Sequence, residues 1–341
     1  MRRLHAGTYD RRGGAGLHPI DHSSTRGWMA GDPYGGARNA SFGAWSPRHN
    51  LHYLVDEGEG TLGVFREEEG WYRLARVSSH GGAPCYLALS ADETLLAVAN
   101  YAGGNIALFR LDPTGLPIEP PQVRGNEGGG PVKDRQEGPH AHCTLFSPDQ
   151  RWLYHVDLGT DEVLAHALDP TTGTLGECRL AFCAPAGSGP RHLLFHPTRP
   201  QALLLAELAS TLTVLDVGEG SLSPVMTLST LAPDVKGESF AGHLLLNDAG
   251  TRVHVTNRGQ DSIASFAWDE VGALHLVRHV PSGGASPRFC LLIDGERRLA
   301  VANEEAGNVA LFDIRADGTP SPFHTVIPLK GAAYLFVARQ G

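Results

Sequence analysis

Apolar residues along this chain fall in short runs broken by Gly, Asn and Asp. Leu95-Leu96-Ala97-Val98-Ala99 is followed by the turn former Ala102-Gly103-Gly104 and then by Asn105-Ile106-Ala107-Leu108-Phe109. Runs of this length with such punctuation predict β-strands. The unit recurs. Taking Ser46, Ser90, Ser147, His196, Asn247 and Ile293 as anchors, the tenth residue on is Asp56, Asn100, Asp157, Ala206, Asn257 or Asn303. The nineteenth is Phe65, Phe109, His166, Leu215, Phe266 or Phe312. Neither offset slips in any copy, whereas successive anchors lie 44, 57, 49, 51 and 46 residues apart. A rigid three-strand core joined by elastic loops produces that pattern.

A fourth, outer strand fits after turns such as Leu111 to Gly115 and Leu168 to Gly173. Small four-stranded antiparallel sheets cannot bury both faces until neighbours stack on them, so the repeat predicts an all-β propeller. Six copies are complete. Residues 331–338 resemble the first strand of a unit and Leu4-His5-Ala6-Gly7-Thr8-Tyr9 a later one, so the two ends are expected to share a seventh blade that closes the ring. Residues 1–341 read as a single propeller domain. The Gly-rich stretches Arg11 to Arg38 and Arg124 to Gly138 lack the repeat and are expected to be loops over the ring.

Composition sharpens this. Of 341 residues, 42 are Gly and 23 Pro, too many for a helical bundle, while an apolar share of 41% is enough for a large core. The net charge of −9 gives no general attraction to nucleic acid or to an anionic membrane. Arg2-Arg3 are not followed by an apolar segment of the kind a secretory signal needs, and no run approaches bilayer-spanning length, so a cytoplasmic protein is expected. The five cysteines are odd in number and form no CxxC pair, so they are expected to be buried free thiols.

Equivalent positions in different blades should form rings about the axis. Five before the anchors stand Ser41, Cys85, His142, Arg191, Gly242 and Arg288; eleven after stand Glu57, Tyr101, Leu158, Glu207, Arg258 and Glu304. Charges crowded at an axis cost desolvation unless they pair or bind something. One reading is a pocket that holds an anion between arginines, with Glu207 and His142 available for proton transfer. The other is that Arg191–Glu207 and Arg258–Glu304 are salt bridges tying blades together. Arg135-Gln136-Glu137-Gly138-Pro139-His140-Ala141-His142 gathers further base, acid and histidine beside a strand, but the His-x-His pair lacks a third ligand nearby, so no metal is expected.

These strings, with Gly189-Pro190-Arg191-His192…His196-Pro197, Ala206-Glu207-Leu208 and Asn257-Arg258-Gly259, resemble the seven-bladed propeller lactonase family, which groups 6-phosphogluconolactonases with fungal carboxymuconate-lactonizing enzymes. The likeness runs from Cys85 to Gly341 and more loosely over Asn39 to Phe65. It implies a site of His142 (or His140), Arg191, Glu207 and a further arginine, Arg258 or Arg288, without metal or organic cofactor. Ala206 departs from the Asn that often precedes the family's Glu.

The resemblance implies hydrolysis of a sugar-acid lactone, foremost 6-phosphogluconolactone to 6-phosphogluconate in the pentose phosphate pathway of carbohydrate metabolism. His142, Arg191 and Glu207 would be catalytic. Glu207, its pKa raised by enclosure, would take a proton from water, Arg191 would stabilise the oxyanion, and His142 would protonate the leaving ring oxygen. His140, Arg135, Arg258 and Arg288 would bind substrate. The expected partner is a small anionic lactone, not nucleic acid or membrane, and the chain would act as a monomer or weak homodimer. Alternatives are a carboxymuconate-type cycloisomerase and a propeller that binds without turnover.

Overall fold

The computed structural model describes residues 3–269 and 272–337. Seven four-stranded antiparallel sheets stand around a central axis. Blades 1 to 6 follow the chain over 43–78, 84–125, 141–183, 190–229, 240–281 and 287–328, each starting at the inner strand. The seventh has Ala332–Val337 innermost, then Leu4–Thr8, Leu17–Ser23 and Gly27–Ala30. Leu4 pairs with Val337 and Ala6 with Leu335, so the ring is closed by strands from opposite parts of the sequence. Ala338, the last residue of the expected closing strand, lies outside the described residues.

The anchors and the tenth positions each serve a recurring physical task. Ser90 Oγ accepts from the backbone N–H of Thr94 and Leu95, Ser147 Oγ from Trp152, and Asn247 Oδ1 from Thr251 and Arg252, capping the turn that follows the inner strand. At the tenth position, Asn100 donates to Ser79 O (2.9 Å), Asn257 to Thr230 O (2.8 Å) and Asn303 to Ser282 O (3.1 Å). Each of these carbonyls lies just past the preceding blade's outer strand, so each bond ties neighbouring blades together. Ala206 has no side chain that could do this.

Burial follows position in the blade. Leu95–Asn100 and Trp152–Asp157 are buried along their whole length because blades cover both faces, while outer strands such as Trp71–Ser78 are largely exposed. Three expectations are corrected here. Residues 11–38 are not all loop: Leu17–Ser23 and Gly27–Ala30 complete the seventh sheet. Arg124 likewise belongs to the outer strand Pro117–Gly125. Among the cysteines only Cys85, Cys143 and Cys290 are buried; Cys178 and Cys183 are exposed on an outer strand. No described helix is long and apolar enough to cross a membrane.

Candidate active site

Seven-fold repetition stacks three layers of side chains on the axis. The position eleven after the anchors, at or just past the end of the second strand, is Glu57, Tyr101, Leu158, Glu207, Arg258 and Glu304, with Tyr9 as its equivalent after Leu4–Thr8 in the seventh blade. Below it come the residues at the entry to the inner strands, where Ser41, Cys85, His142, Arg191 and Arg288 line one small axial cavity with Ala333. Below these, Phe42, Tyr86, His192, His243, Phe289 and Tyr334 pack ring to ring, with centroid separations of 3.8 to 5.4 Å between Phe42 and Tyr86, His192 and His243, His243 and Phe289, and Phe289 and Tyr334. Aromatic edges and faces thus close the channel under the charged layer.

A backbone irregularity aims the middle layer. Strand register slips between Pro84 and Tyr86, Ala141 and Cys143, Pro190 and His192, and Pro287 and Phe289, leaving Cys85, His142, Arg191 and Arg288 as the extra residue of a bulge. A bulge frees one residue from the alternation of the sheet and turns its side chain. Here it points four side chains to the same cavity. Gly242 fills the matching place in blade 5 for a different reason. A Cβ there would lie 2.6 Å from Pro287 O and from Thr256 Oγ1, and the Gly242 carbonyl accepts a hydrogen bond from Arg191 Nε.

Glu207 is the hub of one half of the site. Its carboxylate, 2% exposed, meets Arg191 Nη1, Arg135 Nη2 at 2.5 Å and Arg258 Nη2 at 3.0 Å, with His142 Nε2 3.9 Å away. Arg191 Nη1 is also 2.5 Å from His142 Nε2. A guanidinium can only donate, so Nε2 accepts and the ring proton sits on Nδ1, facing Cys85 Sγ at 3.8 Å. Arg258 Nε is buried without a hydrogen-bond partner.

Arg135 arrives from the loop between blades 2 and 3. That loop is pinned by Gln136, buried, which donates to Leu158 O (2.8 Å), and it packs so closely that a Cβ on Gly159 would lie 1.9 Å from Gly138 O. His140 stays at the rim. Its ring stacks on Tyr101 (4.4 Å), its Nδ1 lies 3.0 Å from Tyr101 O, and its Nε2 is 3.3 Å from Glu137.

The other half centres on Arg288, which reaches Glu57 (3.5 Å) and Glu304 (3.7 Å) and lies over the ring of Tyr9. Tyr9 is buried and donates its phenol proton to Glu57 Oε2 at 2.5 Å. Glu304 in turn takes Arg11 (3.2 Å) and Arg12 (3.4 Å) from the short 3₁₀ turn that follows Tyr9.

Proton affinities follow from this arrangement. Burial alone would raise Glu207, but Arg258 and Arg191 beside it hold its carboxyl well below the usual range. Burial, reinforced by Arg191, keeps His142 neutral far below the ordinary histidine value. Burial also lowers Arg258, to about 10, against the pull of Glu207. Among the described residues no group of three or more His, Cys, Asp and Glu is placed to hold a metal ion.

The family profile described as a seven-bladed β-propeller lactonase matches residues 3–335. The chain belongs to the seven-bladed β-propeller lactonase family. It is 28% identical over 319 residues, 91% of the chain and 90% of the relative, to the 6-phosphogluconolactonase of Bacillus subtilis. It is 26% identical over 317 residues, covering 89% of each, to a protein of Formosa agariphila bearing the same name. The solved periplasmic gluconolactonase of Pseudomonas aeruginosa superimposes with a TM-score of 0.90 at 26% identity, covering 98% of both chains.

Within this lactonase scaffold the structure brings together His142, Arg191, Glu207, Arg135 and Arg258, places Arg288 across the same cavity, and leaves His140 at the edge. Two sequence expectations fail. Arg258 pairs with Glu207 and not with Glu304, whose partners are Arg11, Arg12 and Arg288. The carboxyl of Glu207 is lowered, not raised, because three guanidinium groups outweigh its burial. Tyr9 escaped the sequence reading. Its signal is that Thr8-Tyr9 holds, for the split blade, the place that Asn303-Glu304 holds in blade 6.

Proposed function

We propose that this protein hydrolyses a sugar-acid lactone carrying an anionic group, with 6-phosphogluconolactone as the first substrate to test. The observation that carries the reading is the convergence of Arg135, Arg191 and Arg258 on a single carboxylate, with Arg258 Nε still unpartnered. Three cations around one anion leave a surplus of positive charge that suits a phosphate or carboxylate and the oxyanion of ester cleavage. The relatives named 6-phosphogluconolactonase support the choice of substrate.

The reaction follows from the free-state contacts. A lactone carbonyl oxygen competes for Arg191 Nη1 and draws it off His142 Nε2. The freed Nε2 lone pair takes a proton as water attacks the carbonyl carbon, and the negative charge that develops on oxygen rests on Arg191. Glu207, held ionised, stabilises the imidazolium from 3.9 Å. Collapse of the tetrahedral centre breaks the ring C–O bond, and the imidazolium returns its proton to the departing oxygen. The open hydroxy acid then ionises. Arg258 and Arg135 hold the anionic substituent.

A proton-release assay over a panel of lactones, repeated with Arg191→Ala, tests the proposal. Turnover of 6-phosphogluconolactone that collapses in the variant supports it, and background rates throughout overturn it. The alternative cycloisomerase reading predicts preference for a carboxymuconolactone in the same assay. Glu207→Gln separates the proton acceptors. Glu207 raises the His142 pKa, so its neutralisation moves the acid limb of kcat/KM to lower pH, whereas a Glu207 base would take the limb away with it.

A further inference from the structure

Fourteen residues after each anchor the chain turns from the second strand of a blade to the third. The backbone there is left-handed in all six copies: Gly60, Gly104 and Gly307 have φ of 64°, 60° and 63°, Ser210 has 50°, and Asp161 and Asp261 have 60° and 52°. Glycine takes this conformation without steric cost, and aspartate does not. Of the six, aspartate stands only ahead of the two blades that bring arginine to the axis. Asp161 precedes the strand that carries Arg191, and Asp261 the strand that carries Arg288. The inner strands that follow Gly60, Gly104, Ser210 and Gly307 carry Cys85, His142, Gly242 and Ala333 at that place.

Both carboxylates perform the same act. Asp161 Oδ1 accepts from the backbone N–H of Gly189 at 2.7 Å and Oδ2 from that of Gly187 at 2.6 Å, while Asp261 Oδ1 accepts from Ser286 N–H at 2.8 Å. Gly189 and Ser286 each stand two residues before the arginine, with φ of 62° and 60°. Their carbonyls accept from the N–H of Glu207 (2.7 Å) and Glu304 (2.9 Å). One residue is thus held by an aspartate at its N–H and by the backbone of an axial glutamate at its carbonyl, and the bulged arginine follows directly. His142 has a counterpart from within its own blade, where Asp157 Oδ1 accepts from His140 N–H at 2.8 Å.

We infer that Asp161 and Asp261 are positioning residues that aim Arg191 and Arg288 at the axis, and that Asp161 thereby sets the contact between Arg191 and His142. The inference rests on the lactone-hydrolysis reading for its kinetic consequence only.

The test gives each aspartate the residue that blades 1, 2 and 6 already use. Asp161→Gly and Asp261→Gly remove the carboxylate and suit the left-handed turn, with thermal unfolding followed to confirm a folded ring. Asp161→Asn is the second variant; asparagine tolerates the same conformation but sets an amide N–H against one of the two backbone donors. Heteronuclear NMR of the full chain, labelled at the histidine ring nitrogens, needs no lactone. Asp161→Gly should shift the His142 signals and raise the His142 pKa, because Arg191 bonds Nε2 and holds that pKa down, and Asp161→Asn should do the same to a smaller extent. Asp261→Gly should move them less than Asp161→Gly. In kinetics, Asp161→Gly should lower kcat about tenfold or more. That loss should largely vanish when Arg191 is already replaced by Lys and persist when Arg288 is. Unchanged His142 signals in the folded Asp161 variants, or a kinetic loss that adds in full to that of Arg191→Lys, overturns the inference. Shifted signals in a protein without lactone turnover remove the proposed reaction and leave the positioning role standing. Turnover with unchanged signals does the reverse.

Discussion

The two ends of the inner strands face very different surroundings. At the strand entries lies a small charged cavity walled by His142, Arg191, Arg288, Cys85 and Ser41. At the far ends lies a cavity of about 970 Å³ with Trp45, Leu245, Leu292, Leu335 and Phe336 among its walls. The aromatic plug, with Phe42 and Phe289 in both linings, separates them. Size therefore points the wrong way. The larger space mixes apolar walls with Asp248, Asp294, Glu296 and Arg297, while the smaller one brings the guanidinium groups of Arg191 and Arg288 against the neutral imidazole of His142. At the charged end bulges turn His142 and Arg191 to the axis, and the residue after Arg191, His192, joins the plug.

Substitutions at each end can break this contrast. The largest expected effect is His142→Asn, which removes the proton acceptor and should lower kcat/KM about 10³-fold, within the usual range for a positioned acid–base group. Arg191→Lys keeps the charge but loses the fork that joins Glu207, His142 and the Gly242 carbonyl, and should cost about 10²-fold in kcat. Both losses are read in steady-state assays with the lactone that the wild type turns over. At the far end, Leu335→Ala should leave kcat/KM within about twofold while lowering unfolding free energy by about 2–5 kcal/mol in denaturant titrations, since Leu335 is 1% exposed in the closing strand. A matching loss of activity would erase the distinction between the two ends.

The smallest effect concerns pH. Burial lowers His243 to about 3 and His155 and His166 to about 4. Their folded-state values lie below the unfolded value near 6.5, so the unfolded chain binds more protons below that pH. Stability is fully present above pH 6.5 and is lost progressively as pH falls towards 4. Urea midpoints measured between pH 7 and 4.5 should decline, and less steeply in His155→Gln. Activity has a separate signature, because His142 stays neutral well below 6.5: kcat/KM should hold level from pH 8 to below pH 6.

Much of the architecture was legible because it repeats. The tenth-position Asn or Asp and the anchor Ser, Asn or His recur because each blade needs the same turn cap and the same tie to its neighbour, as Asn100 and Ser90 show. The seventh blade was only half legible, since Leu17–Ser23 and Gly27–Ala30 lie in a Gly-rich stretch between the first strand and the first full repeat. Register also named the residues that meet on the axis. What it did not give was the pairing among them. Arg258 turns to Glu207 in the preceding blade, and Arg135 reaches it from a connecting loop, contacts fixed by three-dimensional packing that no periodicity encodes. The lowered Glu207 carboxyl follows from those contacts and shares their invisibility.

The hydrogen bonds between Leu4–Thr8 and Ala332–Val337 set a timetable. During synthesis Tyr9 leaves the ribosome early, yet its seat beside Glu57 is fixed only when a strand made more than 300 residues later docks against its own. A ring whose first six blades have formed thus stays open beside Tyr9 until both ends of the chain meet in the seventh sheet.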